Sequence, residues 1–323
     1  MQLVSKKSIA AKILERAANI RAHIYQYHDL QVNAVVKKLK KLSHKPKVIY
    51  DAREPYFMLW KEKKYANFFS YLFHKSLSFV IAKWELEKAS YCDLILTNDL
   101  FMLEYYSKKL PSVLCTTIFN YSYFVPDIDV QPKERKFDFI YSGGVTVNRG
   151  VREMILAIKS LRKTYPNVTL LIIGPFENDD LKKEINLLIQ NFNLQSNIII
   201  KNPVPFSQIA KYYSNASIGL GLFHKTPNFV TFLPIKLFEY MAFGLPVIFC
   251  NYGPSAKIIE ETNTGILVDP LDIDSVCDAM AKLLSDIEMY SQLSANGIKA
   301  VTEKYNWNKE KEKFLAIYEQ LLQ

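Results

Sequence analysis

Thr231-Phe-Leu-Pro-Ile-Lys-Leu-Phe-Glu-Tyr-Met-Ala-Phe-Gly-Leu-Pro-Val-Ile248 is the stretch on which the reading of this chain turns. Pro234 sits where a first helical turn would begin, where its missing N–H costs nothing. Ile235 to Phe243 read as a helix, Gly244 ends it, and Pro246 forbids its continuation. Val247-Ile-Phe-Cys250 then has the β-branched and aromatic content of a buried strand. Lys236 and Glu239 are three residues apart, so they share one face near the helix start. A cation and a carboxylate beside an exposed helix N-terminus can hold a phosphate and a hydroxyl together. The plain alternative is a weak surface pair on an ordinary helix.

Working outward, the strand-to-helix turn Ser142-Gly143-Gly144, followed by Asn148-Arg149-Gly150, puts flexible backbone and a cation where an anion could approach. Phe137–Tyr141, Thr169–Gly174, Asn197–Lys201, Ser217–Phe223 and Gly265–Val268 read as strands. The helices predicted with them begin near Arg149, Asp179, Phe206, Ser255 and Asp272, giving a βα array of Rossmann type. Ahead of this block, strands are expected at 23–28, Lys47–Tyr50, Asp93–Thr97 and Ser112–Thr117, with a helix between His28-Asp29 and about Leu42. Residues 5–22 space Ile9, Ile13, Ala17 and Ile20 against Lys6, Lys7, Lys12 and Arg16. This predicts a helix packed on a sheet with a solvated basic face. Tyr121 to Lys136, with two prolines, reads as a linker.

The chain of 323 residues suits two domains, and 49% hydrophobic with 23% charged residues is ordinary for a globular protein. The cysteines at 92, 115, 250 and 277 have no C-x-x-C spacing, which argues against structural zinc or a disulfide framework and fits a reducing cytosol. No apolar run approaches the ~20 residues that span a bilayer, and the start lacks a signal-peptide pattern. Of the net charge of +9, residues 1–120 carry 20 Lys and Arg against 10 Asp and Glu, so the basic surface belongs to the first domain. No nucleic-acid motif accompanies it, which leaves an anionic membrane as the expected partner. Residues 55–88 sharpen that expectation: Tyr56, Phe57, Trp60, Tyr65, Phe68, Phe69, Tyr71, Phe73, Phe79 and Trp84 alternate with Lys61, Lys63, Lys64, Lys75 and Lys83. Rings and ammonium groups together suit an interfacial helix, although a pair of core helices with snorkelling lysines reads similarly.

The stretch around Lys236 resembles the donor-site signature of family-4 (group 1) retaining glycosyltransferases of the GT-B fold, which often read K-L-F-E-Y-M-A-x-G-x-P-V. The resemblance is tight from residue 137 onward and looser from 23 to 136, where strands ending H-D-L and Y-D-A-x-E are similar to the family's first domain. It implies two Rossmann-like α/β domains facing across a cleft. Residues 1–125 would form an acceptor-side domain, apparently truncated at its front, and 126–136 a linker. Residues 137–303 would form the nucleotide-sugar domain, and 304–323 a helix crossing back to the first.

In this resemblance Arg149 and Lys236 face the diphosphate and Glu239 the ribose hydroxyls. Gly143, Gly144, Gly174, Val204, Phe232 and Leu233 line the donor. Arg53 and Asn120 stand on the acceptor side. Arg53 occupies the position of the family's usual His, Gly144 that of a frequent Arg, and Thr231 that of the first Glu in a common Glu-x7-Glu pair. His224 reads as a loop residue rather than a catalyst.

The implied activity is metal-independent transfer of a hexose from a nucleotide-diphosphate sugar to a glycan or lipid-linked acceptor in cell-surface polysaccharide synthesis. No cofactor is expected, and the location is cytoplasmic, peripheral on the membrane. The alternatives are a nucleotide-sugar-binding protein without efficient transfer and a sugar-nucleotide epimerase of the same fold. A dehydrogenase is disfavoured because the glycine turn lacks G-x-G-x-x-G with a following acid.

Overall fold

Two blocks of alternating strand and helix make two parallel sheets in the computed structural model, which describes residues 6–28, 30–53, 68–124, 135–227 and 229–323. The chain divides into two compact units, Met1–Phe119 with Glu310–Gln323, and Asn120–Lys309.

In the first unit, α1 (Lys6–Ile20) precedes β1 (Ile24–Tyr27). A 3-10 segment, Leu30–Val35, runs into α2 (Val36–Leu39), followed by β2 (Lys47–Ala52) and α3 (Phe68–Ala89). Then come β3 (Leu94–Thr97), α4 (Leu100–Lys109) and β4 (Leu114–Thr117). The strands lie in the order β1-β2-β3-β4, all parallel. The helix expected up to Leu42 is mostly this 3-10 segment. The buried Asn33 takes a 2.5 Å hydrogen bond from the Tyr27 hydroxyl, and Asn with three nearby valines is a poor α-helical run. As expected, α1 buries Ala17 and leans Ile13 on the core with Lys12 and Arg16 exposed, but Ile9 and Ile20, expected on the same packed face, are exposed near its two ends.

Tyr27 stacks on Tyr50 at 5.1 Å, and the hydroxyls of Tyr50 and Tyr106 both donate to Glu85 Oε1 at 2.7 Å. Burial pushes the Glu85 carboxyl above its ordinary range, against the two tyrosine hydrogen bonds that lower it, and Oε2 has no partner among the described residues. Of the aromatic stretch, Tyr56, Phe57, Trp60 and Tyr65, with Lys61, Lys63 and Lys64, lie outside the described residues. On α3, Phe73, Phe79 and Val80 are exposed while Ser78, Glu85 and Ala89 are buried. Among the described residues no helix is long and apolar enough to cross a membrane.

The second unit runs β5 (Phe137–Ser142), α5 (Val151–Leu161), β6 (Leu170–Ile173), α6 (Asp179–Asn191), β7 (Ile198–Lys201), α7 (Phe206–Tyr213) and β8 (Ala216–Gly221). It continues with α8 (Ile235–Ala242), β9 (Val247–Cys250), α9 (Gly253–Thr262), β10 (Gly265–Val268), α10 (Ile273–Ser285) and α11 (Ile287–Glu303). All four residues of β6 and of β9 are buried, the near-continuous apolar reading of strands covered on both faces. Asn178, Asp272 and Asp286 each cap the helix that follows by accepting a backbone N–H. α11, an element beyond those expected from the sequence, follows α10 with a single residue, Asp286, serving both ends.

The sheet order is β10-β9-β8-β5-β6-β7. The connections run outward in opposite directions from the β5–β8 pair, so the topological switch point lies between their carboxyl ends. A last helix, α12, spans Trp307–Leu322. Tyr121 packs on Phe238 and Tyr305, and the Trp307 N–H donates to the Ser122 carbonyl at 3.1 Å. These contacts place 120–124 and 304–309 with the second unit. Most of the expected linker, 126–136, lies outside the described residues. From Glu310 the chain rejoins the first unit: Glu310 accepts the Phe119 N–H at 2.9 Å, and Phe314, Ile317 and Tyr318 pack on Ile49, Leu94 and Leu96.

Candidate donor site

The residues singled out from the sequence of the second unit converge on the carboxyl ends of its strands. Beyond β5, the turn at Gly143 and Gly144 presses against Gly174, the first residue past β6. A Cβ on Gly174 would lie 1.7 Å from the Gly143 carbonyl oxygen, so only glycine permits this approach. Gly150, at φ +75°, lets the turn after β5 sit on the chain leaving β8, where an added Cβ would come within 2.1 Å of the Leu222 carbonyl. The His224 N–H then donates to the Asn148 carbonyl at 2.8 Å. Both sides of the switch point are thus fastened backbone to backbone.

Arg149 lies in that seam. Its guanidinium is 5.8 Å from the Phe229 ring centre, a cation–π placement, and beside the Gly143 turn. Phe229 stacks on Phe223 at 5.1 Å and meets Phe232 edge-on at 5.9 Å, so Phe232 supports the loop that Arg149 rests on. Leu233 is half-buried just before α8.

Helix α8 starts at Ile235 after Pro234, as the sequence predicts, and turns Glu239 inward to 1% exposure. Lys236 Nζ donates to Glu239 Oε2 at 2.8 Å, and the Tyr213 hydroxyl donates to the same oxygen at 2.6 Å. Tyr213 also meets Ser142 Oγ at 2.7 Å, while the Ser142 N–H donates to the Tyr240 hydroxyl at 3.0 Å. Burial, then the neighbouring Tyr240 and Glu239, hold the Tyr213 phenol far above its ordinary range. Tyr213 therefore stays protonated as donor to Glu239 and accepts from Ser142. One directed chain, Ser142 to Tyr213 to Glu239, ties the glycine turn to the Lys–Glu pair. The described bonds to Glu239 end on Oε2.

Tyr213, Tyr240 and the hydroxyl of Ser142 went unread as site residues. Tyr213 is the last residue of an amphipathic helix, and nothing local distinguishes it from a core tyrosine. His224 has a neighbour that the sequence concealed: its Nε2 lies 3.2 Å from Glu153 Oε1, in the first turn of α5, with both side chains largely buried, but the two are not aligned for a hydrogen bond. Glu153 Oε2 has no partner among the described residues.

Val204 is half-buried past β7, at the sheet edge, and no described contact links it to the Lys236 cluster. Asn120 is exposed at the start of the second unit. Arg53 belongs to the first unit, where it pairs with Asp51 at 3.1 Å. Among the described residues no group of three or more His, Cys, Asp or Glu could hold a metal ion.

Comparison with known proteins bears on the fold and the family. A probable sucrose-phosphate synthase of Oryza sativa subsp. japonica is 30% identical over 129 residues, 40% of this chain and 13% of that protein. An uncharacterized glycosyltransferase of Haemophilus influenzae is 25% identical over 208 residues, 63% of this chain and 55% of that one. The chain therefore spans less than two thirds of the length of these relatives. Among solved structures, a sucrose-phosphate synthase from Thermosynechococcus elongatus superposes with a TM-score of 0.74 at 17% identity, covering 97% of this chain and 77% of its own. HepE of Anabaena, solved in complex with UDP, gives a TM-score of 0.74 at 12% identity, covering 97% and 82%. These likenesses show the fold, GT-B with two parallel sheets. The family model described as "Glycosyl transferases group 1" matches residues 127–300, more than half of the chain. The chain belongs to the group 1 glycosyl transferases.

Proposed function

We propose that the chain is a retaining hexosyltransferase. It would take a hexose from a nucleotide-diphosphate sugar, with UDP as the first nucleotide to test, and pass it to a glycan or lipid-linked acceptor of cell-surface polysaccharide. The observation that carries this reading is the Ser142–Tyr213–Glu239–Lys236 chain at the switch point. It presents the Glu239 carboxylate for a ribose hydroxyl and an ammonium beside the N-terminus of α8. Arg149 adds a second cation across the seam. Negative charge builds on the diphosphate as the bond from the anomeric carbon breaks, and fixed cations stabilise that charge. Lys236 and Arg149 do this in our reading without a divalent metal. The departing phosphate oxygen takes the proton of the attacking hydroxyl on the same face of the sugar, so retention needs no separate carboxylate base.

We place the protein in the cytoplasm, which suits its four free cysteines, and on an anionic membrane. Exposed Phe73, Phe79 and Val80 on α3, in a unit with excess basic charge, support the membrane contact.

The test is incubation with labelled UDP-, GDP- and ADP-hexoses and candidate acceptors, with and without a chelator. The reading expects nucleoside diphosphate release, a product of unchanged anomeric configuration, and no effect of the chelator. Tight binding without release under every acceptor would make the chain a binding protein, and recovery of an epimerised donor would make it an epimerase.

A further inference from the structure

Helix α1 stands off the first unit instead of sealing it. Ile9, Ile13, Ala17 and Ile20 have helical spacing, yet of the four Ala17 alone is buried, and Ile9 and Ile20 are 46% and 60% exposed. Two apolar hollows lie along the helix. One, of about 310 Å³, is bounded by Ile9 and Ala10 of α1, Leu30 and Ala34 of the 3-10 segment, and Ile81 and Trp84 of α3. The other, of about 480 Å³, is lined by Tyr25 and Tyr27 of β1, Leu39 of α2, and Lys12 and Arg16 of α1. Ile9, Ile13 and Val32 line both, so the two adjoin as one apolar trough under α1.

Protein interiors are close-packed, and an apolar cavity costs stability in proportion to its volume. Such cavities take up apolar ligands, and both volumes here are in the range of small-molecule sites. The rim selects the ligand. Lys12 and Arg16 are one helical turn apart and exposed, and among the described residues neither forms an ion pair, with neighbouring Glu15 or any other carboxylate. An apolar body with an anionic head matches that rim. A second copy of this chain does not, because residues 1–120 hold 20 Lys and Arg against 10 Asp and Glu and would repel their like. On α3, Ile81 directly follows the exposed Phe79 and Val80, which ties the trough to the face proposed for membrane contact.

We propose that the trough under α1 holds one acyl chain of an anionic membrane phospholipid. The phosphate lies on Lys12 and Arg16, and the chain runs past Ile13 and Val32 toward Trp84. The lipid is a holding ligand and not a substrate: no bond is made or broken, and the donor site takes no part. The inference deepens the membrane reading of the first unit and rests on it for the source of the lipid. It gives α1 a task that packing alone does not, as the cover of a lipid chain.

The test uses the full chain with n-alkyl phosphates below their micelle concentrations, followed by calorimetry and tryptophan fluorescence, with Trp84→Phe identifying the Trp84 signal. Each added methylene should tighten binding about fourfold until the trough is full, and further lengthening should add nothing. Dodecyl phosphate should shift Trp84 emission to the blue, and hexyl phosphate should leave it unmoved. Lys12→Gln with Arg16→Gln, at exposed positions, should weaken dodecyl phosphate tenfold or more and leave dodecyl maltoside unchanged. Ala10→Phe, which fills the trough, should abolish uptake of the chain. No binding by the wild type, equal affinity for the phosphate and maltoside heads, or a dimer in light scattering that dodecyl phosphate does not dissociate would overturn the proposal. Vesicles separate it from the reading on which it rests: anionic vesicles should retain the wild type better than Ala10→Phe. A wild type that takes dodecyl phosphate but ignores anionic vesicles would overturn the phospholipid source together with the membrane reading. Vesicle binding without uptake of dodecyl phosphate would overturn the trough and leave that reading standing.

Discussion

In the second unit the polar groups of the site are buried and bonded in series, Ser142 to Tyr213 to Glu239, with Lys236 and Arg149 partly exposed. In the first unit Asp51 is buried but the heads it holds, His28 and Arg53, stand half in solvent. Each unit carries a carboxylate near the end of a parallel sheet, yet Glu239 is fixed by a buried hydroxyl and a partly buried ammonium, whereas two of the groups on Asp51 stand half in solvent. The difference separates a preorganised cluster from an open one. A donor with a fixed diphosphate and ribose suits preorganised partners, because misplacement at a reacting centre is expensive in rate.

The sharpest way to break the comparison is to disturb the fastening of the second unit. Gly174→Ala would drive a Cβ into the Gly143 carbonyl at 1.7 Å. The strain should cost about 3 kcal/mol or more in denaturant unfolding of that unit. A stability within about 0.5 kcal/mol of wild type would mean that the turn is not held as described.

Tyr213→Phe is gentler. It leaves the Ser142 hydroxyl without its acceptor and Glu239 Oε2 with Lys236 alone. We expect UDP affinity to fall by about tenfold, from the loss of a charge-assisted hydrogen bond, and the preference for UDP over 2′-deoxy-UDP to shrink with it. An unchanged preference would remove Tyr213 from the positioning of Glu239.

How much of this was legible in the sequence differs between the units for the same physical reason. Pro234, Lys236, Glu239, Gly244 and Pro246 lie within one turn, helix and turn, so their spacing alone set α8 and the face that Lys236 and Glu239 share, while the burial of Glu239 came from the fold. The bonds that orient Glu239 come from Tyr213 and Ser142, far along the chain, and a tyrosine ending an amphipathic helix has no local mark of its partner. The same holds for Glu153 beneath His224. In the first unit, His28 and Arg53 were visible as the ends of two expected strands, but their shared carboxylate follows from the parallel pairing of β1 with β2, which pairs Gln26 with Ile49 and Tyr27 with Tyr50. The 3-10 segment before α2 escaped because alternating apolar residues there fit a short helix equally well.

The charge asymmetry gives a third outcome. Co-sedimentation should be stronger with anionic than with neutral vesicles and should weaken as salt rises. Phe79→Ser with Val80→Ser should lower it several-fold without altering UDP binding by the second unit. Equal, negligible binding to both vesicle types would remove the membrane from the account.

The smallest effect concerns Glu85. Its folded-state pKa is raised, chiefly by burial, so its contribution to stability is full below about pH 4, the ordinary glutamate range, and is lost as pH rises through the raised value. Thermal melts of Glu85→Gln should lack that component, narrowing the difference between mildly acidic and neutral pH by a few degrees. Parallel pH profiles of variant and wild type would show that the buried carboxyl is not strained by burial.

The central claim is that Lys236 and Glu239, fixed by Tyr213, hold a nucleoside diphosphate. Calorimetric titration of wild type, Lys236→Ala and Glu239→Ala with UDP tests it most directly, with circular dichroism confirming that each variant is folded. The account predicts binding by the wild type and a loss of about 1.5–3 kcal/mol in each variant, roughly tenfold or more in affinity. Folded variants that bind UDP as tightly as the wild type would contradict it.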